Sequence, residues 1–395
     1  MENKFGAIVV GAGPAGSTVA KIMALAGMKV LVVDRLPEIG HVKRCGEGLS
    51  RHHLDAAGIE PNPLWIRQPI DGAVVVSPNG TRIKLEGEKL DGYVIERKVF
   101  DKWLAQEAAA AGAKIQSRTD VKDIIREKGK ICGVVAEFMG ETVKYYADLI
   151  IAADGVDSLI ARKAGINTTL KLVDICTCAE FEMAGIKLNE PDKIEICFGN
   201  DVAPGGYAWV FPKGQGRANV GLGVRGNRTD KTPYEYLKKF VKQLGYENGS
   251  VIEVNIGGVP VGGNTSQYVA DNFALVWDAA RQVNPIHGGG IGIAISSARI
   301  LGEVAVEAWK KKDFSKDFLS SYEKKWDEAH GKKMRKLVRL RKFADNLSDR
   351  QLDDIAKKVK GFDLYELSQG KFRGFVRLAG KSPGLVRYLP LLLKS

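Results

Sequence analysis

Three groups of residues in this chain have the types and spacing that bind an anionic ligand or act on it. GAGPAG occupies residues 11–16, RCGEG occupies residues 44–48, and PIHGGGI occupies residues 285–291. Glycine-rich turns that open helices present free backbone N–H groups, which bind phosphates. RCGEG adds a cation and a thiol on flexible backbone, so we expect Cys45 to line a site rather than to fill a core.

GAGPAG has the context of a dinucleotide-binding fingerprint. An apolar run precedes it, a helical pattern follows it, and a second apolar run ends at Asp34. Gly11 permits a tight turn, Gly13 lets the backbone approach a pyrophosphate, and Gly16 lets the helix pack close to the strand. Asp34 is placed to accept hydrogen bonds from a ribose. These features predict a strand–turn–helix–strand unit that binds a dinucleotide.

Two later apolar runs also end in an acid. One ends in Asp154-Gly155, and the other leads through Trp277 to Asp278 and the glycines of residues 288–290. A strand that ends in an acid, followed by a glycine loop at a helix start, predicts a second anion-binding position. His287 beside these glycines either acts as a general acid or only spaces the loop.

The middle of the chain is rich in β patterns. Alternating residues from 70 to 93 turn at Pro78-Asn79-Gly80 and predict a hairpin, and a β meander is expected from Val121 to Tyr146. Residues 171–263 read as short strands with one helix. Tyr207, Trp209 and Phe211 fall at period two, so they share a strand face. This face either packs a core or lines an apolar cavity.

The composition sets limits on the class of protein. The chain has 395 residues, of which 45% are hydrophobic and 27% charged, as in a globular protein of two domains. No apolar run reaches about 18 residues, so no spanning helix is expected, and the first strand leaves no room for a signal peptide. Five scattered cysteines favour a reducing cytoplasm. The net charge of +12 suits nucleic acid, an anionic membrane or a solvated helix face, and charge alone favours the last.

The order of the motifs resembles a known class of proteins. GAGPAG with Asp34, then Ala153-Asp154-Gly155, then WDAA at 277–280 with the later glycine loop resemble the FAD proteins related to p-hydroxybenzoate hydroxylase. RCGEG and PGGYAWVFP at 204–212 are more specific. They resemble the geranylgeranyl reductase family, most closely the archaeal digeranylgeranylglycerophospholipid reductases. The resemblance covers residues 1 to about 345 well and the tail only loosely.

The resemblance implies an α/β fold with a Rossmann-type FAD-binding domain, an inserted antiparallel β-sheet substrate domain and a C-terminal helical segment. We expect the FAD-binding domain to comprise residues 1–63, 97–168 and 270–312. The substrate domain is expected at 64–96 and 169–269, and the basic helical segment at 313–395.

The resemblance also implies how FAD would be held. Ala15 and Asp34 would hold the adenosine end, the Val121 backbone would meet the adenine, and Arg97 would meet the pyrophosphate. The loop of residues 44–48 would pass near the flavin, with Asp278 at the ribityl chain. The expected cofactor-binding residues are Gly11, Gly13, Ala15, Gly16, Asp34, Arg44, Cys45, Gly46, Gly48, Arg97, Val121, Asp154, Asp278, Gly290 and Ile291.

The implied reaction is the FAD-dependent reduction of isoprenoid double bonds in a geranylgeranyl phospholipid, as in archaeal membrane lipid synthesis. Reduction of an isolated alkene needs a hydride and a proton, and Cys45 and Tyr207 are the two candidate catalytic residues. Tyr207 and Trp209 would line the isoprenoid cavity. The other expected substrate residues are His287 and, for the lipid phosphate, Lys332 and Lys333.

Partners and location follow from the same resemblance. The chain is expected in the cytoplasm, in peripheral contact with the inner face of the membrane, with no metal and no nucleic acid. The electron donor is either a ferredoxin or NAD(P)H. The alternatives are an FAD-dependent aromatic monooxygenase on the same scaffold and a prenyl-lipid-binding protein that lacks flavin.

Two residues depart from the family pattern. Asp34 stands where glutamate is commoner, and Trp277 stands where the family has glycine before the acid. Glycine there lets the backbone approach the cofactor, whereas an indole either obstructs FAD or swings outward. We predict that Trp277→Gly raises the flavin occupancy of the purified protein, which its flavin absorbance would measure.

Overall fold

The computed structural model describes residues 4–41, 43–87 and 90–359. Two large sheets and one small sheet form its framework. In chain order, the strands are β1 (Lys4–Val10), β2 (Val30–Val33), β3 (Gly48–Ser50), β4 (Ile66–Ile70), β5 (Gly72–Val76), β6 (Arg82–Glu86), β7 (Gly92–Ile95), β8 (Lys114–Gln116), β9 (Thr119–Glu127), β10 (Lys130–Phe138), β11 (Glu141–Ala152), β12 (Ile175–Ala184), β13 (Lys193–Cys197), β14 (Tyr207–Gly214), β15 (Arg217–Arg225), β16 (Ser250–Pro260), β17 (Val269–Ala270) and β18 (Phe273–Leu275).

Helices follow several of these strands. In chain order they are α1 (Pro14–Leu25), α2 (Arg51–Ala57), α3 (Arg97–Ala110), α4 (Leu159–Lys163), α5 (Pro233–Gln243), α6 (Ile291–Lys311), α7 (Lys316–Trp326), α8 (Lys332–Ala344) and α9 (Asp349–Val359). A short 3-10 turn, Trp277–Ala280, lies between β18 and α6.

The first sheet has the order β17-β18-β11-β1-β2-β8. Strands β18, β11, β1, β2 and β8 are parallel to one another. Val30–Val33 is fully buried, as expected for a strand covered on both faces. Helix α1 packs between α3 and α6 on this sheet. The predicted strand–turn–helix–strand unit and the Rossmann-type fold are therefore confirmed.

The predicted meander extends this sheet. Strand β10 pairs antiparallel with both β9 and β11, and β11 continues into the centre of the parallel sheet. This long strand therefore carries the chain from the meander to Asp154, beside the end of β1. Helix α3 begins at Arg97, directly after the extended backbone of Glu96.

The second sheet is mostly antiparallel, with the order β16-β12-β15-β14-β13-β5-β6. The predicted hairpin supplies β5 and β6, and β5 pairs in parallel with β13. Helix α5 packs on one face of β12 and β15, so the opposite face is left to meet the first sheet's elements. The small sheet, β3-β7-β4, links the two large ones. The exact domain boundaries remain a prediction.

The basic segment is helical as far as the structure describes it, in α7, α8 and α9. The apolar, basic tail of residues 372–393 lies outside the described residues. Among the residues that are described, no helix is long and apolar enough to cross a bilayer. All five cysteines lie within the described ranges, and none forms a disulfide.

Candidate active site

The turn after β1 brings three strand ends together. Gly11 has a φ of +105°, which glycine adopts freely and other residues do not. A Cβ atom on Gly11 would overlap the carbonyl oxygen of Ala153, and a Cβ on Gly16 would overlap that of Gly11. Both glycines therefore permit the close approach of α1 to the ends of β1 and β11, as the sequence predicts. Ala15 is fully buried in the first turn of α1.

Asp34 fixes this turn from the end of β2. Its carboxylate accepts hydrogen bonds from the backbone N–H of Ala12 at 2.8 Å and of Leu36 at 2.9 Å. Each carboxylate oxygen keeps another lone pair, so Asp34 can still accept from ribose hydroxyls. The N–H of Thr119 donates to the Asp34 carbonyl, which brings the start of β9, and with it Val121, beside this acid.

Asp154 and Asp278 lie at the ends of two neighbouring parallel strands. Asp154 accepts from the N–H of Ile160 through one oxygen, and its other oxygen is buried without a hydrogen-bond partner. Loss of solvation raises the pKa of Asp154 to about 6. The same cause raises the pKa of Asp278 to about 7, although Arg97 favours its ionised form. Burial thus favours the protonated form of both carboxyls.

Arg97 anchors the site from the start of α3. Its guanidinium donates to both carboxylate oxygens of Asp101, at 2.8 and 2.6 Å. It also lies 6.0 Å from the ring centre of Trp277. The indole of Trp277 extends between the glycine turn and the loop before α6, beside Gly13 on one side and Gly290 on the other.

The RCGEG loop packs against the aromatic row of β14. A Cβ on Gly46 or on Gly48 would approach the Phe211 ring to 3.0 Å, so side chains there would push the loop off the sheet. The Cys45 sulfur accepts from the N–H of Glu47 at 3.2 Å. Burial raises the pKa of the Cys45 thiol, and Arg97 opposes this shift. Arg44 instead lies over Gly257 of β16.

The face of the second sheet is arranged in rows across strands. Tyr207 pairs with Gly223, which pairs with Cys178, and Trp209 pairs with Gly221, which pairs with Glu180. Paired residues point to the same face of the sheet. The glycines leave room above β15, because a Cβ on Gly221 would overlap the Trp209 ring.

Trp209 and Tyr207 are each held by one hydrogen bond. The Trp209 indole crosses over β15 and donates its Nε1–H to Glu180 at 2.9 Å. The Tyr207 hydroxyl donates to the backbone carbonyl of His287, which joins the second sheet to the glycine loop before α6. Burial raises the pKa of Tyr207 well above its usual value, so the phenol stays protonated.

A buried ion network that the motifs did not predict lies below this row. Lys213 is fully buried, and its ammonium lies 2.9 Å from Glu47, 3.0 Å from Glu96 and 2.9 Å from Glu182. Carboxylate oxygens of these three glutamates lie within 4.8 Å of one another, a spacing that would suit a metal ion. The Lys213 ammonium already supplies the positive charge among them.

Lys43 extends the network to the loop that carries Cys45. Its ammonium lies 3.3 Å from Glu47, Glu180 and Glu182 and 2.9 Å from the Asn219 side chain. Loss of solvation raises the pKa of Glu180 to about 7, against the effect of Lys43. Alternation places position 213 on the face of Trp209 within β14 and positions 180 and 182 on one face of β12, but only the strand pairing shows that these two faces coincide.

Two histidines and a lysine lie near the start of α6. His53 packs over Gly292 in the first turn of this helix, where a Cβ would overlap its ring, and the Nδ1 atom of His287 accepts from the N–H of Gly289. Loss of solvation lowers the pKa of His287 to about 4, with His53 and Lys333 adding to the effect. Protein atoms lie around the His287 ring, yet the residue stays exposed to solvent.

The structure thus separates the predicted site residues into groups. Cys45, Gly46, Gly48, Tyr207 and Trp209 come together although their motifs are distant in sequence. Lys333 lies near His287, whereas Lys332 is exposed and lies near Asp327. Successive helical residues point about 100° apart, so only one of the two lysines lies on the side of His287.

The geometry at the ends of β1, β2, β11 and β18 fits a dinucleotide. Gly13 adds no side chain at the turn after β1, Asp34 can accept from a ribose, and Asp154 has a buried oxygen that lacks a donor. The start of α6 offers further N–H groups at Gly290 and Ile291. Fold and site therefore define a Rossmann-type dinucleotide-binding oxidoreductase whose second sheet presents an aromatic face to the RCGEG loop.

Comparison with known proteins identifies the family. Residues 174–259 match the geranylgeranyl reductase catalytic domain, and residues 9–55 match an NAD(P)-binding Rossmann-like domain. The chain is 39% identical over 401 residues to digeranylgeranylglycerophospholipid reductase 2 of Methanopyrus kandleri, with 99% of this chain and 100% of the relative covered. It is 43% identical over 374 residues to digeranylgeranylglycerophospholipid reductase 1 of Methanothermobacter thermautotrophicus, with 93% of this chain and 94% of the relative covered. The chain belongs to the digeranylgeranylglycerophospholipid reductase family.

Solved structures agree with this assignment. A geranylgeranyl bacteriochlorophyll reductase-like protein of Thermoplasma acidophilum is 35% identical, with a TM-score of 0.92 and coverage of 99% of this chain and 100% of that chain. A flavin-dependent brominase, solved as a triple mutant, is 14% identical, with a TM-score of 0.71 and coverage of 94% and 100%. At that identity the brominase shares the fold alone.

Proposed function

We propose that the chain reduces isoprenoid double bonds of a geranylgeranyl-type phospholipid with FAD as its cofactor. The observation that carries this proposal is the packing of the Cys45 loop against Trp209 and Phe211. It joins the aromatic face of β14 to the dinucleotide-binding strand ends. This face would line the cavity that a long isoprenoid chain needs, and the adjoining dinucleotide would serve the redox reaction.

The described residues would hold FAD along the edge of the first sheet. Asp34 and Val121 would hold its adenosine end, Gly13 and Arg97 its pyrophosphate, and Asp278 its ribityl chain. The N–H groups of Gly290 and Ile291 lie where the positive end of α6 meets the cavity, and they would stabilise negative charge there. When bound and reduced, FAD supplies the hydride.

Cys45 is the proposed proton donor to the alkene. Its pKa is raised by burial, so the thiol keeps its proton at neutral pH. The nearby Arg97 stabilises the thiolate that remains after the proton is given up. The Tyr207 hydroxyl already donates to the His287 carbonyl, so we assign Tyr207 to the cavity wall.

The polar end of the lipid is proposed to lie near the start of α6. Lys333 and His287 would meet its phosphate, while Lys332 on the other face of α8 would meet anionic headgroups of a bilayer. With these contacts the chain would lie peripherally at the inner, cytoplasmic face of the membrane, next to its lipid substrate. The net charge of +12 suits an acidic ferredoxin as electron donor, and NAD(P)H, which is also an anion, stays the alternative.

The mass of the product tests this function. FAD-loaded protein is reduced with dithionite under anaerobic conditions and mixed with a geranylgeranyl phospholipid. We expect a gain of two hydrogens per double bond by mass spectrometry. A gain of one oxygen in the presence of air and NAD(P)H, with no hydrogenation, would instead indicate a monooxygenase. Protein that binds the lipid and leaves it unchanged in both conditions would indicate a carrier.

A further inference from the structure

Trp277 has a backbone conformation that bulky residues rarely adopt. Its φ is +60°, in the left-handed region. Its backbone N–H donates to the side-chain oxygen of Gln282 at 2.7 Å. Gln282 is fully buried and in turn hydrogen-bonds the hydroxyl of Tyr322. The backbone of Trp277 is therefore fixed from behind, and the side chain is the part that can change position.

The Trp277 indole occupies the space in front of two glycines. Its Cζ3 atom would lie 3.7 Å from a Cβ on Gly13, and its Nε1 atom would lie 2.8 Å from a Cβ on Gly290. The guanidinium carbon of Arg97 lies 6.0 Å from the centre of the Trp277 ring. The indole thus lies where the turn after β1, the start of α6 and a buried cation all converge, which is the place that suits a pyrophosphate.

The polar atom of this indole lacks a partner. Trp277 Nε1 is buried and makes no hydrogen bond, so no polar contact of the side chain holds the indole in this position. Contact with Arg97 compensates in part, because a guanidinium near an indole is attracted to its ring. The indole and a pyrophosphate cannot both lie between Gly13 and Gly290.

We infer that the Trp277 side chain is a gate that closes the pyrophosphate section of the FAD site, so that FAD binds only after the indole rotates outward. This inference rests on the proposed function for its ligand. A site that is open for only part of the time has an apparent affinity lowered by the open fraction. The chain therefore holds FAD as a loosely bound, exchangeable ligand.

FAD titration of the flavin-free protein tests the gate. We compare wild type with Trp277→Gly and Trp277→Phe, and use Trp103→Phe as a matched control. Trp103 packs on Trp65 and Phe100 in another cluster, away from the glycine turn. Glycine adopts the φ of Trp277 without strain, so Trp277→Gly is expected to fold. We expect Trp277→Gly to bind FAD about tenfold more tightly, Trp277→Phe to lie between, and Trp103→Phe to match wild type.

Binding kinetics give a second readout. With a gate, the observed rate of FAD association in wild type levels off at high FAD, whereas Trp277→Gly shows a rate that keeps rising with concentration. Equal or weaker FAD binding by both Trp277 variants, with melting temperatures like that of wild type, would overturn the gate and leave the reductase function standing. Failure of wild type and all variants to bind FAD would overturn the gate together with the proposed cofactor.

Discussion

Burial decides the protonation of the side chains nearest to the proposed chemistry. Cys45 and Tyr207 both lie in surroundings that disfavour their ionised forms, so each holds its proton at neutral pH. Their difference lies in hydrogen bonding, because the Tyr207 proton is already donated to a carbonyl. The residue types in RCGEG and YAWVF pointed to these two side chains, but only the folded chain distinguishes their roles.

Cys45→Ala tests the assignment of the proton donor. Loss of a positioned acid slows proton transfer by roughly a hundredfold or more. We expect lipid reduction to fall by about that factor, with FAD content unchanged in the absorbance spectrum. Cys132→Ala, in β10 of the meander, is the control and is expected to keep the wild-type rate. Wild-type turnover by FAD-loaded Cys45→Ala would show that another group supplies the proton.

Asp278→Asn tests the effect of burial on an acid in the flavin-free protein. The pKa of Asp278 is raised from 3.8 to about 7, so the folded state binds this proton more tightly than the unfolded state. The stability from that proton is present below pH 3.8 and is lost as the pH rises through about 7.

Asparagine does not titrate, so Asp278→Asn does not lose this contribution as the pH rises. The difference in thermal midpoint, variant minus wild type, is therefore expected to increase from pH 5 to pH 7.5. Asp154 and Glu180 titrate in both proteins, and the difference between the two midpoints isolates Asp278. A midpoint difference that stays constant with pH would show that Asp278 is ionised throughout.

At the scale of elements, the loop between β2 and β3 is clamped to the second sheet by charge. Lys43 and Glu47 on this loop meet Lys213 and Glu182 on the sheet in a region closed to solvent. The strand patterns predict which residues face inward, yet they do not predict that lysines and glutamates would be among them. The partners lie far apart in sequence, so no local pattern links them.

Lys213→Met tests this clamp. Removal of one partner from a buried ion network leaves unpaired charge, which costs about 3–5 kcal/mol in free energy of unfolding. We expect Lys213→Met to lose free energy of unfolding of that order and to displace the loop between β2 and β3. The control is Lys122→Met. The Lys122 ammonium pairs with Asp120 at the surface, so its loss is expected to change the free energy of unfolding little. Equal stability of wild type and Lys213→Met would show that Lys43 alone neutralises the glutamates.

At the scale of the molecule, the glycine turn, the RCGEG loop and the loop before α6 lie where the first and second sheets face each other. The first sheet positions the strand ends for a dinucleotide, and the second presents the aromatic row for a chain of carbon atoms. The fold class was predictable because GAGPAG, Asp34 and the later strand ends have local patterns. The position of the Trp277 indole could not be predicted from the sequence, because it depends on how the turn after β18 meets the turn after β1.

The central claim is that reducing equivalents pass from the dinucleotide site to the lipid in the adjoining cavity. An anaerobic single turnover tests it most directly, with pre-reduced, FAD-loaded protein mixed with geranylgeranyl phospholipid while flavin absorbance and lipid mass are followed. We predict that oxidised flavin reappears as the lipid is consumed, with one double bond lost per flavin. Flavin that stays reduced in the presence of bound lipid, with every double bond intact, would contradict the claim.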